Sequence, residues 1–222
     1  MRPDLIVTQA QCEVCAVSLV EVGTGLQSST AIRARVVSLS PTRLADLWTD
    51  MATVAKAIGL EDAGRTVSKG LKSRAADVIE KTAGLERRPS VACLEWLDPL
   101  MAAGNWVPEL VDLAGGLELF GTAGKHSPWL NWEAVREHDP EFLIAMPCGF
   151  NLERTRREMG LLTTRADWAK LRAVRKGRVF VTDGNQYFNR PGPRLVDSLE
   201  ILGEILYPEL FKFGYEGRAY RS

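Results

Sequence analysis

The chain has 222 residues, 45% of them hydrophobic and 25% charged, and its formal net charge at pH 7 is zero. A neutral chain lacks the basic surface that attracts nucleic acids or anionic membranes, so the composition argues against both partners. No apolar run reaches the roughly 20 residues that a membrane-spanning helix requires, and no signal peptide precedes the first predicted strand.

The first sixty residues predict two strands and one helix. Apolar, β-branched runs at Asp4–Thr8 and Arg35–Leu39 are typical of buried strands. Ser40 and Pro41 are a favourable N-cap and first residue for the helix that follows, and Gly59 ends it. A long helix is predicted next, over Glu61–Leu85, because small and apolar residues recur there at helical spacing. A helix of that length spans roughly 35 Å and can act as a connecting strut.

The remainder of the chain alternates strands with helices. Strands are predicted at Ser90–Leu97, Phe142–Met146 and Arg178–Thr182, with a short one at Leu117–Phe120. Helices are predicted over residues 105–113, 131–137, 152–162 and 165–174 and in the segment that carries Leu195, Leu199, Leu202 and Leu206. This alternation favours an α/β class with mainly parallel sheets. The tail after Pro208 is expected to be loose.

Three short matches in preserved order indicate that the two α/β patterns are related. The stretches that begin at Pro3, Arg35 and Pro41 parallel those at residues 140–144, 178–180 and 193–197. We therefore expect a partial N-terminal lobe over 1–60, a connecting helix over 61–85, a C-terminal lobe over 86–210 and a tail over 211–222. The second lobe carries about fifty residues that have no counterpart in the first. The first lobe is thus expected to be incomplete at its N-terminus, with an exposed apolar edge beside Leu5–Val7.

Motifs for catalysis are missing from the sequence. There is no nucleophile elbow, phosphate loop, dinucleotide fingerprint or zinc-protease motif, and the two histidines, His126 and His138, stand alone. The chain is therefore expected to be non-enzymatic and to carry no cofactor. Cys12 and Cys15 form a C-x-x-C pair, which suits a redox pair or half of a metal site. Without a second such pair, we favour small thiols that line a pocket and expect no zinc.

Aromatic and polar residues are concentrated in the loops that follow the predicted strands, where open α/β sheets bind ligands. Such aromatics can pack against a large, flat, apolar ligand, while polar groups fix its orientation. We expect five of these residues to face one cavity: Trp96, Trp129, Cys148, Phe150 and Tyr187. The full set of candidate ligand-binding residues is Cys12, Cys15, Trp96, Trp129, Cys148, Phe150, Asp183, Asn185, Tyr187, Phe188 and Arg190.

Four stretches together resemble one family. They are RPDLIVTQAQCEVCAV at 2–17, RPSVACLEWLDPLMAAGNWVPELVDLAGG at 88–116, PEFLIAMPCGF at 140–150 and WAKLRAVRKGRVFVTDGNQYFNRPGPRLVDSLEIL at 168–202. They resemble cobalamin-binding substrate-binding proteins of the vitamin B12 and iron-siderophore ABC importers, the class III periplasmic binding proteins. The resemblance implies two Rossmann-like lobes joined by a rigid helix, with a corrinoid held between the lobes.

The same resemblance implies roles for single residues and for partners. Trp129 falls where family members place an aromatic against the corrin, and Glu133 where they carry a glutamate that docks onto the permease. The implied partners are cobalamin or a related corrinoid and the permease subunits of an ABC importer. The implied location is periplasmic or extracytoplasmic, whereas a chain that truly begins at Met1 without a signal would be cytoplasmic.

Two alternatives stay open at the level of sequence. The first is a haem or ferric-siderophore binding protein of the same class. The second is an intracellular protein that handles corrinoids or metals, with redox chemistry at Cys12 and Cys15.

Overall fold

The computed structural model describes residues 3–10 and 34–222. The chain divides into two compact units, residues 1–70 and 71–222. The first unit pairs strand β1 (Leu5–Gln9) in parallel with β2 (Arg35–Leu39). Helix α1 (Leu44–Ala57) follows, and α2 (Glu61–Thr82) begins in the first unit and ends in the second. The predicted long helix is thus confirmed, with its end three residues earlier than expected.

The second unit is built on one sheet. Its elements are β3 (Ser90–Leu97), β4 (Leu100–Ala102), α3 (Val107–Leu113), β5 (Leu117–Glu118), α4 (Trp132–His138), β6 (Phe142–Ala145), α5 (Leu152–Glu158), α6 (Gly160–Thr163), α7 (Arg172–Arg175), β7 (Val179–Thr182), α8 (Leu195–Leu206) and β8 (Tyr220–Arg221). A 3-10 turn lies at Trp168–Lys170 and a π-helical turn at Gly184–Phe188. The mixed α/β fold matches the predicted class.

The strand order is β4-β3-β6-β7-β8, and β5 pairs with the beginning of β3. β3, β6, β7 and β5 run parallel, whereas β4 and β8 pair antiparallel to β3 and β7. The four residues of β6 and four of the first five in β3 are buried. Helices cover both faces of such a strand, which explains why these strands appear in the sequence as continuous apolar runs. Every residue of helix α8 except Asp197 is buried, including Glu200 and Glu204.

Two expectations about local structure are corrected, and two strands are added. The segment 165–174, expected to be one helix, is interrupted at Asp167, whose φ is 62°, and again at the extended Leu171. The strands β4 and β8 were not predicted. The tail is not loose, because its buried aromatic side chains Phe211, Tyr215 and Tyr220 anchor it to the unit and β8 extends the sheet.

No helix within residues 3–10 and 34–222 combines the length and the apolar character that crossing a membrane would need.

Candidate functional site

The carboxyl ends of β3, β6 and β7 meet at one edge of the sheet, because the three strands are parallel neighbours. The segments that follow β6 and β7 are joined to each other and to β3 through backbone hydrogen bonds. The Cys148 amide donates to the Glu95 carbonyl over 3.1 Å, and the Asn185 amide donates to the Phe150 carbonyl over 3.0 Å. The topology therefore brings the predicted residues of three separate stretches to one place, as expected for the ligand edge of an open α/β sheet.

Phe150 connects the β6 segment to β3 through its ring. The Trp96 ring packs edge-on against it, with centroids 5.2 Å apart and an interplanar angle of 63°. Edge-to-face pairs of this kind are favoured by the quadrupoles of the two rings. The guanidinium of Arg154, in the first turn of α5, lies over the Phe150 ring with its carbon 3.7 Å from the centroid.

Trp96 also links Phe150 to strand β4 and to the loop that carries Trp129. Trp96 is paired with Met101 across the β3–β4 hairpin, and Met101 forms an antiparallel bridge with Trp129. Residues directly opposite in antiparallel pairs place their side chains on the same face. Trp129, Met101, Trp96 and Phe150 therefore form one row of apolar side chains, which we call the aromatic row. Trp129, at its end, keeps 67% of its surface exposed.

The loop that carries Trp129 is held by its backbone. The Ala102 amide donates to Pro128 over 3.0 Å, and the Leu130 amide donates to Leu100 over 2.9 Å. A large apolar side chain that is exposed on a backbone fixed at both sides loses little conformational entropy on binding. This is the property expected of a binding residue and not of a core residue.

Hydrogen bonds of the Ser127 and Glu95 side chains hold the same loop. The Ser127 hydroxyl donates to the Glu95 carboxylate over 2.8 Å and accepts from the Gly104 amide over 3.1 Å. Burial raises the pKa of Glu95, while the Ser127 hydroxyl opposes the shift. A Cβ on Gly104 would lie 2.5 Å from the Ser127 nitrogen, so only glycine allows the loop this close.

The polar residues after β7 largely satisfy one another. The Asp183 carboxylate accepts from the Gln186 amide over 2.7 Å and caps the π-helical turn. The Asn185 side-chain oxygen accepts from Arg190 over 2.9 Å. These contacts define the shape of the loop, and its exposed edge is formed by Gln186 and Arg190.

Tyr187 and Phe188 differ from the expectation. Both are buried, and Phe188 has no exposed surface. The Phe188 carbonyl accepts from the Trp106 indole over 2.8 Å, and the Tyr187 ring packs edge-on against Tyr215 with centroids 6.1 Å apart. The π-helical turn directs both rings inward, so they belong to the core of the second unit. They do not join the aromatic row, and the single cavity expected for all five residues is wrong on this point.

Of the three candidate cysteines, the structure describes one. Cys148 is half-buried in the turn that carries Phe150, where Gly149 adopts a φ of 77°. Cys12 and Cys15 lie outside the described residues. Within residues 3–10 and 34–222, no group of three or more His, Cys, Asp or Glu side chains is placed to hold a metal ion.

Glu133 lies away from the aromatic row, in the first turn of α4, where Asn131 caps the helix. Its exposed carboxylate forms an ion pair with Arg136 over 3.1 Å, and Arg136 also pairs with Asp167 over 2.8 Å. These side chains line a surface cavity of about 450 Å³ together with Glu137, Asp139, Lys170 and Leu171.

Sequence reasoning missed Met101, Arg154, Glu95 and Ser127. Met101 was missed because the β3–β4 hairpin was not predicted. Arg154 follows Phe150 by four residues, and this spacing was the only sequence signal for the contact between the two side chains.

The chain matches a family model described as periplasmic binding protein over residues 1–186. The chain belongs to this family.

One curated protein is similar to this chain in sequence. The uncharacterized ABC transporter substrate-binding lipoprotein YvrC of Bacillus subtilis (strain 168) is 23% identical over 171 residues, which are 75% of this chain. The match covers 52% of that protein, so this chain spans about half the length of the curated relative it matches.

Several solved structures share the fold of this chain. An ABC transporter substrate-binding protein from Listeria monocytogenes EGD-e has a TM-score of 0.76 at 18% identity, covering 93% of this chain and 77% of that one. The haem-binding protein RhuT from Roseiflexus sp. RS-1 has a TM-score of 0.74 at 20% identity, covering 94% and 77%. The vitamin B12 binding protein BtuF of Vibrio cholerae has a TM-score of 0.68 at 17% identity, covering 92% and 74%. At such identities the likeness shows the fold.

Proposed function

We propose that this protein binds cobalamin or a related corrinoid and delivers it to the permease subunits of an ABC importer, without catalysing a reaction. The observation that carries the proposal is the aromatic row, which ends in the exposed Trp129. A row of flat and flexible apolar side chains at the ligand edge of an α/β sheet suits a large, flat macrocycle.

Family membership supports the transport part of the proposal. The curated relative is described as an ABC transporter substrate-binding lipoprotein, and an extracytoplasmic location follows for this chain under the same proposal. Glu133 is then the docking carboxylate for a permease arginine. Its exposed position at the rim of a charged cavity fits an ionic contact that forms and breaks with each delivery.

A second ligand class, haem, is favoured by two sulfur-containing side chains. Met101 lies between Trp96 and Trp129 in the aromatic row, and the half-buried Cys148 lies in the turn beside Phe150. Thioether and thiolate sulfurs both serve as axial ligands of haem iron. A haem laid on the row would therefore have a sulfur ligand within the same surface.

Equilibrium titrations with cyanocobalamin and with haemin test the proposal. Tighter binding of cyanocobalamin, with stoichiometry near one and quenching of tryptophan fluorescence, supports the corrinoid assignment. Tighter binding of haemin, with a shifted Soret band that depends on Met101 or Cys148, would replace cobalamin by haem. Binding of neither would overturn the ligand class.

A further inference from the structure

The side chain of Arg154 contacts the aromatic row through a cation–π interaction. Its guanidinium covers the face of the Phe150 ring, while Trp96 packs against the same ring edge-on. Arg154 and Trp96 are therefore neighbours on Phe150. Phe150 itself is buried, so a flat ligand would lie on the other members of the row and bring its edge close to the guanidinium.

The guanidinium of Arg154 has no ionic partner within the described part of the chain. None of the ion pairs formed among residues 3–10 and 34–222 includes Arg154, and its guanidinium donates no hydrogen bond there. Three other arginines of the second unit differ in this respect. Arg190 donates to Asn185, Arg165 pairs with Asp98 over 3.1 Å, and Arg194 donates to the Gln186 carbonyl.

The contact with Phe150 also positions the guanidinium. An arginine stacked on an aromatic ring loses less freedom when it later binds a ligand, because its plane is already oriented. The donors of a guanidinium lie in that plane, and they match carboxylate and phosphate oxygens in a bidentate way. A cation oriented in this way beside an apolar surface is suited to an oxyanion on a mostly apolar ligand.

We infer that Arg154 selects ligands that carry an anionic group at the edge of their flat ring system. The inference rests on the proposed function, since it requires the flat part of the ligand to lie on the aromatic row. On cobalamin the anionic group is the phosphodiester of the nucleotide loop, and on haem it is a propionate carboxylate. Both present the same oxyanion chemistry to Arg154.

Matched ligand pairs test the inference. Cyanocobalamin is compared with dicyanocobinamide, which lacks the phosphodiester, and haemin with its dimethyl ester. Dissociation constants are measured for the wild type, Arg154→Met, Arg154→Lys and the control Arg156→Met. Arg156 is an exposed arginine two positions along α5, which places it on another face of the helix.

For whichever ligand pair binds, the wild type should bind the anionic member more tightly than the neutral member. Arg154→Met should weaken binding of that member about ten- to a hundredfold and leave the neutral member unchanged. Arg154→Lys should restore part of the preference, because it keeps the charge and loses the planar fork. Arg156→Met should behave as the wild type.

The measurements distinguish a failure of the inference from a failure of the proposed function. If the ligands bind but Arg154→Met keeps the wild-type ratio between the anionic and neutral members, the inference is wrong and the proposed function stands. If the wild type binds neither pair, the proposed function is wrong, and the inference falls with it.

Discussion

Arg74 of α2 and Glu200 of α8 form a two-point ion pair. The Arg74 Nε lies 2.9 Å from Glu200 Oε1, and Nη2 lies 2.6 Å from Oε2. The Arg74 side chain is 41% exposed, whereas that of Glu200 is only 6% exposed. The Tyr215 hydroxyl donates to the same carboxylate over 2.7 Å. The pair therefore joins the second half of the long helix to the buried helix α8 and to the tail.

Replacing Arg74 by Met should destabilise the protein by roughly 2 to 4 kcal/mol, because it leaves a buried carboxylate without its cation. Arg65→Met is the matched control on the same helix, since Arg65 pairs with Asp62 where both side chains are exposed. Exposed pairs contribute about 0 to 1 kcal/mol. Urea unfolding measures both variants, and equal losses of stability would show that the Arg74 pair is no stronger than an ordinary surface pair.

Glu118 makes the stability depend on pH. Burial raises the pKa of its carboxyl group from 4.5 to about 7, against the hydrogen bonds of the Cys93 thiol and the Phe120 and Gly121 amides. The folded state therefore binds more protons than the unfolded chain between pH 4.5 and pH 7. The free energy of unfolding falls as the pH rises through that window.

The Glu118→Gln variant should lose this dependence. The contribution of Glu118 to the free energy of unfolding declines by roughly 3 kcal/mol between pH 4.5 and pH 8. The variant should therefore gain stability relative to the wild type as the pH rises. Guanidinium unfolding at pH 5, 6, 7 and 8 measures the difference. Glu80→Gln, at an exposed position of α2, is the control. A constant difference between Glu118→Gln and wild type at all four pH values would show that Glu118 titrates normally.

Gly184 sets how closely the segment after β7 approaches the segment after β6. A Cβ at this position would lie 2.4 Å from the Pro147 carbonyl oxygen and 2.6 Å from that of Met146. Gly184→Ala should therefore cost about 1 to 3 kcal/mol, because backbone must move. Gly160→Ala meets no atom within 4 Å and should be neutral or stabilising by up to about 1 kcal/mol. Thermal melts of the two variants with equal midpoints would contradict the close approach.

Much of the fold could be predicted from the sequence because the central strands are continuous apolar runs between turn residues. β3, β6 and β7 were predicted within one residue of their bounds, and α2 followed from helical spacing. The parallel order then placed the carboxyl-end loops together. β4 and β8 could not be predicted, since they have three residues and two, too few for a periodic pattern.

The site was predictable in part for the same reason. Trp96 and Phe150 follow from strand ends, and they meet as expected. Met101 depends on the register of the β3–β4 hairpin, which no residue pattern indicates. Tyr187 and Phe188 were assigned to a ligand because they follow a strand, but the π-helical turn directs both inward. Such a turn has no distinctive sequence signal, so the direction of its side chains comes only from the structure.

The most direct test of the aromatic row is the affinity of Trp129→Ala for cyanocobalamin and haemin, measured beside Leu117→Ala. Leu117 on β5 is also a large exposed apolar residue, and it lies outside the row. Stacking on an exposed aromatic contributes about 1 to 2 kcal/mol, so Trp129→Ala should weaken binding of the preferred ligand roughly tenfold. Leu117→Ala should bind as the wild type does. Unchanged affinity in Trp129→Ala, with a wild-type melting temperature, would contradict the assignment of the ligand surface to the aromatic row.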